Sequence, residues 1–255
     1  MRKAIGIFVI VGALVLGACS KGGDDTLQGW VEADFIYVSS DEAGRVETLS
    51  VREGDRVAKG DALFSLDDDL QRSDVTVRQA TVTNAKQAFE RAENLLKTAA
   101  GTQKNFDDTQ AGLRQAEANL AWAETRLKRR SLNSPVEGTV HQVYYRIGET
   151  VQATRAVVAI LPPANLKIRF FAPQAELQKI TIGDTVAVSC DGCESGLTAT
   201  VSFIARNAEY TPPVIYSMEE RAKLVFLIEA KPAKPVAFRV GQPVSVTLRR
   251  NGAVK

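Results

Sequence analysis

Two cysteines in the C-terminal third of the chain are close enough in sequence for their sulfur atoms to meet. Cys190 and Cys193 enclose Asp191 and Gly192 in a C-x-x-C pattern. This pattern serves thiol redox catalysis, contributes to metal sites or forms a local disulfide. Asp-Gly between two strand patterns is typical of a hairpin turn, which favours a disulfide that stabilises the turn. Free thiols, metal ligands and redox catalysis stay open as alternatives, although two Cys alone do not complete a zinc site.

The other residue types exclude several kinds of chemistry. The chain has a single His, His141, in a strand pattern with no obvious partner, which excludes multi-His metal sites. It has no Gly-rich phosphate loop followed by Lys-Ser/Thr and no G-x-S-x-G elbow. Asp67-Asp68-Asp69 is explained more simply by a helix start than by a cation site. We expect no enzyme, no cofactor and no metal.

Composition and charge point to an ordinary globular chain. Its 255 residues are 45% hydrophobic and 24% charged, which suffices for one large or two to three small domains. The net charge of +2 comes from scattered basic residues, so we expect no nucleic-acid partner.

The N-terminus has the features of a targeting segment. Arg2 and Lys3 precede an apolar run, Ala4–Ala18, that is shorter than the ~20 residues a membrane-spanning helix needs. The run ends in Leu16-Gly17-Ala18-Cys19, which resembles the lipobox of bacterial lipoproteins, in which the Cys becomes the acylated N-terminus. An ordinary signal peptide with an incidental Cys and an uncleaved anchor are the alternatives. We expect lipidation at Cys19, a membrane-attached body outside the cytoplasm, and an oxidising compartment that favours the disulfide.

The middle of the chain contains one pattern twice. Glu42–Leu66 and Val136–Ile160 align without a gap at an offset of 94, so that Gly44 matches Gly138. Each copy has a strand pattern, a Gly-containing turn and a second strand pattern. Each copy has an apolar face that it cannot bury alone, so we expect the two copies to face each other.

The runs Ala43–Val46, Val51–Asp61 and Ser134–Val140 resemble the split biotinyl/lipoyl domain of HlyD-type periplasmic adaptors, the membrane fusion proteins. The resemblance favours the lipoprotein form that is associated with ABC exporters. In carrier-type relatives a modified Lys lies on the hairpin that joins the halves. No lysine matches that position here, and Lys59 lies in an earlier turn, so a carrier function is rejected.

The segment between the copies predicts a helical hairpin. It lacks Pro, and its second arm has a coiled-coil seam with steps of three and four residues. The predicted seam comprises Phe106, Thr109, Leu113, Ala116, Leu120, Ala123 and Leu127 in the second arm, and Thr81, Ala85, Ala88, Ala92 and Leu95 in the first, with Phe89 and Leu96 beside them. Lys97–Gln103 is the predicted reversal between arms of ~28–30 residues. The run Lys128-Arg129-Arg130 is interpreted as a favourable helix C-terminus.

In HlyD-type adaptors the hairpin tip docks onto an outer-membrane duct, and many carry an Arg, a Leu and a Ser there. Arg91, Leu95 and Thr102 resemble that arrangement, with Thr replacing Ser, while Gly101 stands where an aliphatic residue is commoner. The resemblance therefore implies docking through these side chains. Alternatively, Arg91 is a solvated charge and Leu95 a seam residue.

The C-terminal region alternates like the strands of a small β-barrel. The expected fold class is α+β: a split biotinyl/lipoyl-like β domain with an inserted antiparallel coiled-coil hairpin, plus a small C-terminal β-barrel. Few residues follow Arg249, whereas adaptors of resistance-nodulation-division pumps usually have a further domain there, so we expect an ABC-type transporter. Arg206–Glu220 is a Pro-bearing loop that either faces the pump or only connects two strands. The predicted segments are signal peptide 1–18, acylated Cys and tether 19–28, first strands and first lipoyl half 29–66, hairpin 67–131, second lipoyl half 132–162, barrel 163–250 and tail 251–255.

The expected function is that of a periplasmic adaptor in an efflux or secretion system for drugs or other solutes. It links an inner-membrane transporter to an outer-membrane channel and assembles with its own copies, a hexamer being implied by the resemblance. Its lipid is expected in the inner membrane. The main alternative is a lipid-anchored binding lipoprotein that forms no conduit, and a thiol-redox enzyme using Cys190 and Cys193 is a more distant one.

Overall fold

The computed structural model describes residues 26–210 and 224–248. Cys19, the signal peptide 1–18, most of the loop Arg206–Glu220 and the tail 251–255 lie outside the described residues. The chain forms two compact units, one of which is Asp34–Asn165, while the other combines the segments before and after it. No helix among the described residues has the length and apolar character that crossing a membrane requires.

The unit Asp34–Asn165 contains a β-sandwich and a long helical hairpin. Its elements in chain order are β2 (Ile36–Ser39), β3 (Gly44–Leu49), β4 (Arg56–Val57), β5 (Ala62–Leu66), α1 (Asp69–Lys97), α2 (Gln103–Lys128), β6 (Ser131–Asn133), β7 (Gly138–Val143), β8 (Thr150–Val151) and β9 (Ala156–Leu161). One sheet has the order β2-β9-β7-β4, and the other has the order β6-β5-β3-β8. Apolar side chains from both copies of the repeat form one buried core between the sheets.

The two copies exchange strands in a reciprocal way. Gly44 pairs with Val151 between β3 and β8, and Gly138 pairs with Val57 between β7 and β4. These four residues are related by the same offset of 94, so each pairing is the counterpart of the other. The expectation that the copies bury a shared face is therefore confirmed, and neither copy is a complete sheet without the other.

The second unit is a closed barrel. Its strands are β1 (Thr26–Ala33), β10 (Leu166–Pro173), β11 (Thr185–Ser189), β12 (Leu197–Ile204), β13 (Glu209–Tyr210), β14 (Leu224–Pro232) and β15 (Pro243–Leu248), and α3 (Gln174–Leu177) follows β10. Six strands run in the order β10-β1-β15-β11-β12-β14, and a β10–β14 pairing closes the ring. Alternate residues of β10 are buried, as a strand with one face on a core requires.

The fold class is confirmed, and two boundaries differ from the expectation. The tether was expected to extend to residue 28, but Thr26 already pairs with Thr247 inside the barrel. The barrel is also not purely C-terminal, because β1 lies between β10 and β15. The predicted segment 29–66 therefore begins inside the barrel and not in the sandwich. The chain leaves the barrel after Ala33 and enters the sandwich at β2.

Candidate functional site at the helical hairpin

The base of the hairpin is held by a cluster of charged groups. Arg126 Nε donates to Glu42 Oε1 at 2.8 Å, and Arg130 Nη2 donates to Glu42 Oε2 at 2.9 Å. The hydrogen bond from Arg126 lowers the pKa of Glu42 below its ordinary value of 4.5, against the opposing effect of burial. Arg129 forms an ion pair with Asp41 at 3.3 Å. The end of α2 is thus tied to the chain just before β3.

Arg130 is the most enclosed member of this cluster. Only 8% of the residue is exposed, and its Nη1 donates to the carbonyl oxygen of Ala43 at 3.0 Å. The side-chain oxygen of Gln71, near the start of α1, accepts from Arg130 Nε at 3.1 Å in the amide orientation that satisfies both groups. A Cβ added to Gly44 would lie 2.6 Å from Arg130 Nη1. The basic run at the end of α2 therefore joins both helices to the sandwich, a role beyond helix capping.

The two helices meet along a regular seam. Half-buried or buried residues follow steps of four and three in α1, namely Gln71, Val75, Arg78, Val82, Ala85, Phe89, Ala92 and Leu96. All seven predicted seam residues of α2 are likewise at least half-buried. In α1 the prediction was wrong for Thr81 and Leu95, which are exposed, because the adjacent Val82 and Leu96 occupy the seam in their place. The rings of Phe89 and Phe106 lie 5.3 Å apart.

The tip is a five-residue reversal between Lys97 and Gln103. Ala100 and Gly101 both donate backbone hydrogen bonds to Leu95 O at 2.9 Å, and Ala99 has a φ of 54°. A Cβ on Gly101 would lie 3.0 Å from Leu95 Cβ, so the close approach to α1 explains why Gly stands there. Thr102 begins α2 as its N-cap, with Oγ1 accepting from Asn105 N at 3.2 Å. The loop is thus short, and its bonds return to the last turn of α1.

A family model described as "RND MFP, barrel-sandwich hybrid domain" matches residues 35–162, half of the chain. This range covers the sandwich together with its helical insert. The chain belongs to the membrane fusion protein family. Members of this family are periplasmic adaptors of efflux systems, so the resemblance inferred from the split repeat is confirmed.

Individual membrane fusion proteins with solved structures share the fold. The membrane fusion protein Spr0693 from Streptococcus pneumoniae R6 is 18% identical. Its structure matches over 88% of this chain and 99% of Spr0693, at a TM-score of 0.67. A MacA-MexA chimera that carries the Pseudomonas aeruginosa MexA α-hairpin is 20% identical. The match covers 88% of this chain and 78% of the chimera, at a TM-score of 0.69. An uncharacterized Haemophilus influenzae protein is 26% identical over 154 residues, which are 60% of this chain. This chain spans 40% of that relative's length.

The three residues expected to dock in a membrane fusion protein lie near the tip. Arg91 is exposed on α1, and Leu95 is 46% exposed one turn further along. Leu95 therefore does not have the seam role that was its alternative. The hydroxyl of Thr102 accepts the N-cap hydrogen bond described above, which gives this residue a structural role of its own.

The remaining candidate groups have local roles. Cys190 and Cys193 form a disulfide across a turn in which Gly192 has a φ of 75°, with their Cα atoms 5.3 Å apart. The described residues contain no group of three or more potential metal ligands. Asp68 is the N-cap residue of α1 and forms an ion pair with Arg72. The acidic run thus lies at a helix start, where it was expected.

The charged cluster at the base was not predicted from the sequence. Glu42 is 84 residues from Arg126 and 88 from Arg130, so no local pattern connects them. One signal was available, because Glu42 breaks the repeat at a position where the second copy has Val136. An apolar counterpart to this carboxylate indicates that the two copies have different surroundings at this position.

Proposed function

We propose that this protein is a lipid-anchored periplasmic adaptor that links an inner-membrane transporter to an outer-membrane channel through its hairpin tip. The observation that carries the proposal is the hairpin itself, inserted into a split sandwich, tied down at its base and exposing Leu95 near its tip. Cys19 supplies the lipid anchor, in the inner membrane. Six copies of the chain surround the conduit, as the family resemblance implies.

The hairpin provides reach rather than a binding cavity. With 29 residues, α1 is about 44 Å long at ~1.5 Å per residue. Most of its surface is polar, and its half-buried side chains follow the seam against α2. Such an element adds surface without enclosing a ligand. This disfavours the binding lipoprotein and favours contact with a distant partner.

The base cluster supports a mechanical role for the hairpin. Glu42 accepts from both Arg126 and Arg130, and the buried Arg130 also reaches the Ala43 carbonyl. Charge-assisted hydrogen bonds are the stronger ones and fix direction as well as distance. We propose that they transmit movements of the sandwich to the docked tip. The transporter supplies the energy.

The partner transporter is proposed to be of the ABC type, and its cargo a drug or another solute. The matching family model carries the name of the resistance-nodulation-division pumps. Mass spectrometry of the native complex, purified through a tag on this chain, decides between the two classes. An ABC transporter is the expected result, and a resistance-nodulation-division pump in its place would correct this part of the proposal.

Docking is tested by photocrosslinking in the native bacterium. A photoreactive amino acid replaces Ala100, which is exposed at the tip and leaves the Thr102 cap intact. The matched control replaces Ala118, an exposed residue of α2 that lies about 22 Å below the tip. Capture of an outer-membrane channel from position 100 and not from position 118 is expected.

Two outcomes would contradict docking by the tip. Equal capture from positions 100 and 118 would place the channel contact along the hairpin rather than at its end. Capture of no channel from position 100, with a monomeric protein in detergent, would favour the binding lipoprotein. Leu95→Asp is the companion variant, since a charge on this exposed side chain is expected to abolish capture without disturbing the seam.

A further inference from the structure

The barrel unit contains a cleft that has a disulfide sulfur in its wall. The cleft has a volume of about 640 Å³ and lies between the turn 191–194 and the segment 234–242. We call it the disulfide cleft. Of the two cysteines that form the disulfide, Cys193 lines the cleft and Cys190 does not. A molecule that enters the cleft therefore meets the sulfur of Cys193.

Gln242 joins the two walls of the disulfide cleft. Its Oε1 accepts from Arg239 N at 3.0 Å, which fixes the orientation of the amide, and its Nε2 donates to Cys193 Sγ at 3.3 Å. A second turn of the barrel, ahead of β11, is closed in the same way by Asp184, whose Oδ2 accepts from Thr181 N at 2.7 Å. A carboxylate thus suffices to close such a turn. The amide nitrogen of Gln242 is an additional group, and it holds the sulfur at the cleft.

Four charged side chains line the disulfide cleft. Asp191 and Glu194 belong to one wall, and Lys234 and Arg239 belong to the other. All four are exposed, and none of them is in an ion pair among the residues that the structure describes. Because opposite signs stand on opposite walls, the cleft is complementary to a small molecule that carries both an ammonium group and a carboxylate.

The barrel does not need this disulfide to hold its strands together. The disulfide encloses only two residues, and the stabilisation that a disulfide gives grows with the length of the loop it closes. The strands on either side, β11 and β12, are paired from Thr185–Thr200 to Val188–Leu197. We expect the barrel to stay folded when the disulfide opens, so its opening can be reversible.

We propose that the disulfide cleft is a thiol–disulfide exchange site for a small zwitterionic thiol, an amino acid or short peptide that carries a sulfhydryl group. Lys234 and Arg239 bind its carboxylate, and Asp191 and Glu194 bind its ammonium group. Its sulfur then lies against Cys193. This inference goes beyond the adaptor function, because the exchange requires neither docking of the hairpin tip nor assembly with other copies.

The exchange has two steps. In the first, the thiolate of the ligand attacks Cys193 Sγ, and a new sulfur–sulfur bond forms while the bond to Cys190 breaks. Cys190 leaves with the bonding electron pair and takes a proton from water. In the second, the thiolate of another ligand molecule attacks the ligand sulfur of this mixed disulfide and releases Cys193 as a thiolate. Two ligand thiols are thereby oxidised to one disulfide, and the protein disulfide is reduced to two thiols.

Single-cysteine variants of the full-length protein identify the reacting sulfur. Cys190→Ser leaves the Cys193 thiol, which forms a stable mixed disulfide with oxidised glutathione, the disulfide of a zwitterionic peptide thiol. Cys193→Ser is the matched control, because it leaves only Cys190 at this turn. Adducts are located by mass spectrometry of peptides, so that Cys19 is scored separately. We expect the adduct to form at least about tenfold faster in Cys190→Ser than in Cys193→Ser.

Charge variants that keep the disulfide test the recognition of the ligand. Reduced glutathione is expected to open the disulfide of the native chain, and alkylation of the new thiols measures the rate. Lys234→Gln combined with Arg239→Gln should slow this opening about fivefold. Lys231→Gln combined with Arg206→Gln, which changes two exposed cations outside the cleft, should leave the rate unchanged. Opening by mercaptoethanol, a thiol without a carboxylate, should differ by less than about twofold among the three chains.

Faster adduct formation at Cys193, together with a loss that is specific to glutathione in the cleft variant, supports the proposal. Equal rates in the two single-cysteine variants, or a faster reaction at Cys190, would overturn it. Equal slowing of glutathione and mercaptoethanol in the cleft variant would overturn it as well, and so would a native disulfide that stays closed in reduced glutathione. The charge variants retain the disulfide, so their result stands even if a single-cysteine variant fails to fold.

Discussion

Residues 40–66 and 134–160 of the sandwich make the same backbone bonds at positions 94 apart. Gly54 N donates to Val140 O and Gly148 N donates to Val46 O, both at 2.8 Å. The backbone oxygen of Ser40 accepts from Thr154 N at 2.9 Å, and that of Ser134 accepts from Gly60 N at 2.8 Å. Both serines are buried. The two halves nevertheless differ in side chains at the edge, since Glu42 binds the hairpin and its counterpart Val136 packs against the core. The shared bonds define the fold, and the unshared side chains define the attachment of the hairpin.

The strongest test of this comparison replaces Gly44 and Gly138, which occupy equivalent positions in the two copies, by alanine one at a time. A Cβ at Gly138 would lie 2.6 Å from Leu161 O, which is backbone and cannot move alone, so Gly138→Ala should destabilise the sandwich by about 3 kcal/mol. At Gly44 the Cβ meets the end of the Arg130 side chain, and we expect a loss of about 1–2 kcal/mol. Urea unfolding followed by Trp122 fluorescence, with Trp30 replaced by Phe, measures both losses.

The Arg130→Ala background is the control for the glycine test. Removing this side chain should relieve most of the cost of Gly44→Ala and none of the cost of Gly138→Ala, because only the first clash involves Arg130. Identical costs in both backgrounds would show that the two halves pack alike at this edge.

Making the first half resemble the second at residue 42 should release the base of the hairpin. In Glu42→Val, Arg126 and the buried Arg130 lose their carboxylate, and we expect about 2 kcal/mol of destabilisation, discounted because Glu42 is partly exposed. Glu137→Val is the matched control on the exposed surface of the second half, expected within about 0.5 kcal/mol of the native chain. Faster amide exchange in the last turn of α2 of Glu42→Val is the second expected readout. Equal stabilities for the two variants would contradict the anchoring role.

Lowering the pH should reproduce part of the destabilisation that is expected in Glu42→Val. The pKa of Glu42 is lowered in the folded protein by the hydrogen bond from Arg126, so its contribution to stability is fully present above about pH 4.5 and is lost as the pH falls through the folded value. A shallower acid dependence in Glu42→Gln than in the native chain, measured by Trp122 fluorescence between pH 6 and 3, is expected. Parallel curves would show that Glu42 titrates without effect on the hairpin.

The smallest expected effect concerns a strained residue in the second half. Thr154 has a φ of 65°, a conformation unfavourable for a β-branched residue, while its counterpart Gly60 has a φ of 97° without strain. Thr154→Gly should therefore stabilise the sandwich by up to about 1 kcal/mol, and Gly60→Thr should destabilise it by a similar amount. Thermal unfolding of both variants measures the difference. A loss of stability in Thr154→Gly would mean that the Thr side chain makes a contact worth more than its strain.

Much of this architecture follows from local pattern. Matched glycines and alternating apolar residues revealed the repeat, and the absence of Pro with regular seam steps revealed the hairpin. The seam of α1 was misplaced at Thr81 and Leu95, because runs of Ala and Thr give little contrast between faces and the burial of Phe89 and Leu96 decided the phase. The Glu42 cluster joins residues more than 80 positions apart, so only tertiary structure brings them together. The membership of β1 in the barrel depended on a similar long-range pairing.

The pairing of β5 with β6, in which Phe64 lies opposite Leu132, has a consequence for the order of folding. The chain between these strands is 64 residues long, from 67 to 130, and closing so long a loop from a disordered state costs about 4 kcal/mol of entropy. A helical hairpin has mostly local contacts and forms in microseconds to milliseconds. Once formed, it brings Leu66 and Ser131 together, and most of that entropy has already been lost. The insert that interrupts the sandwich is therefore also the element that allows it to close quickly.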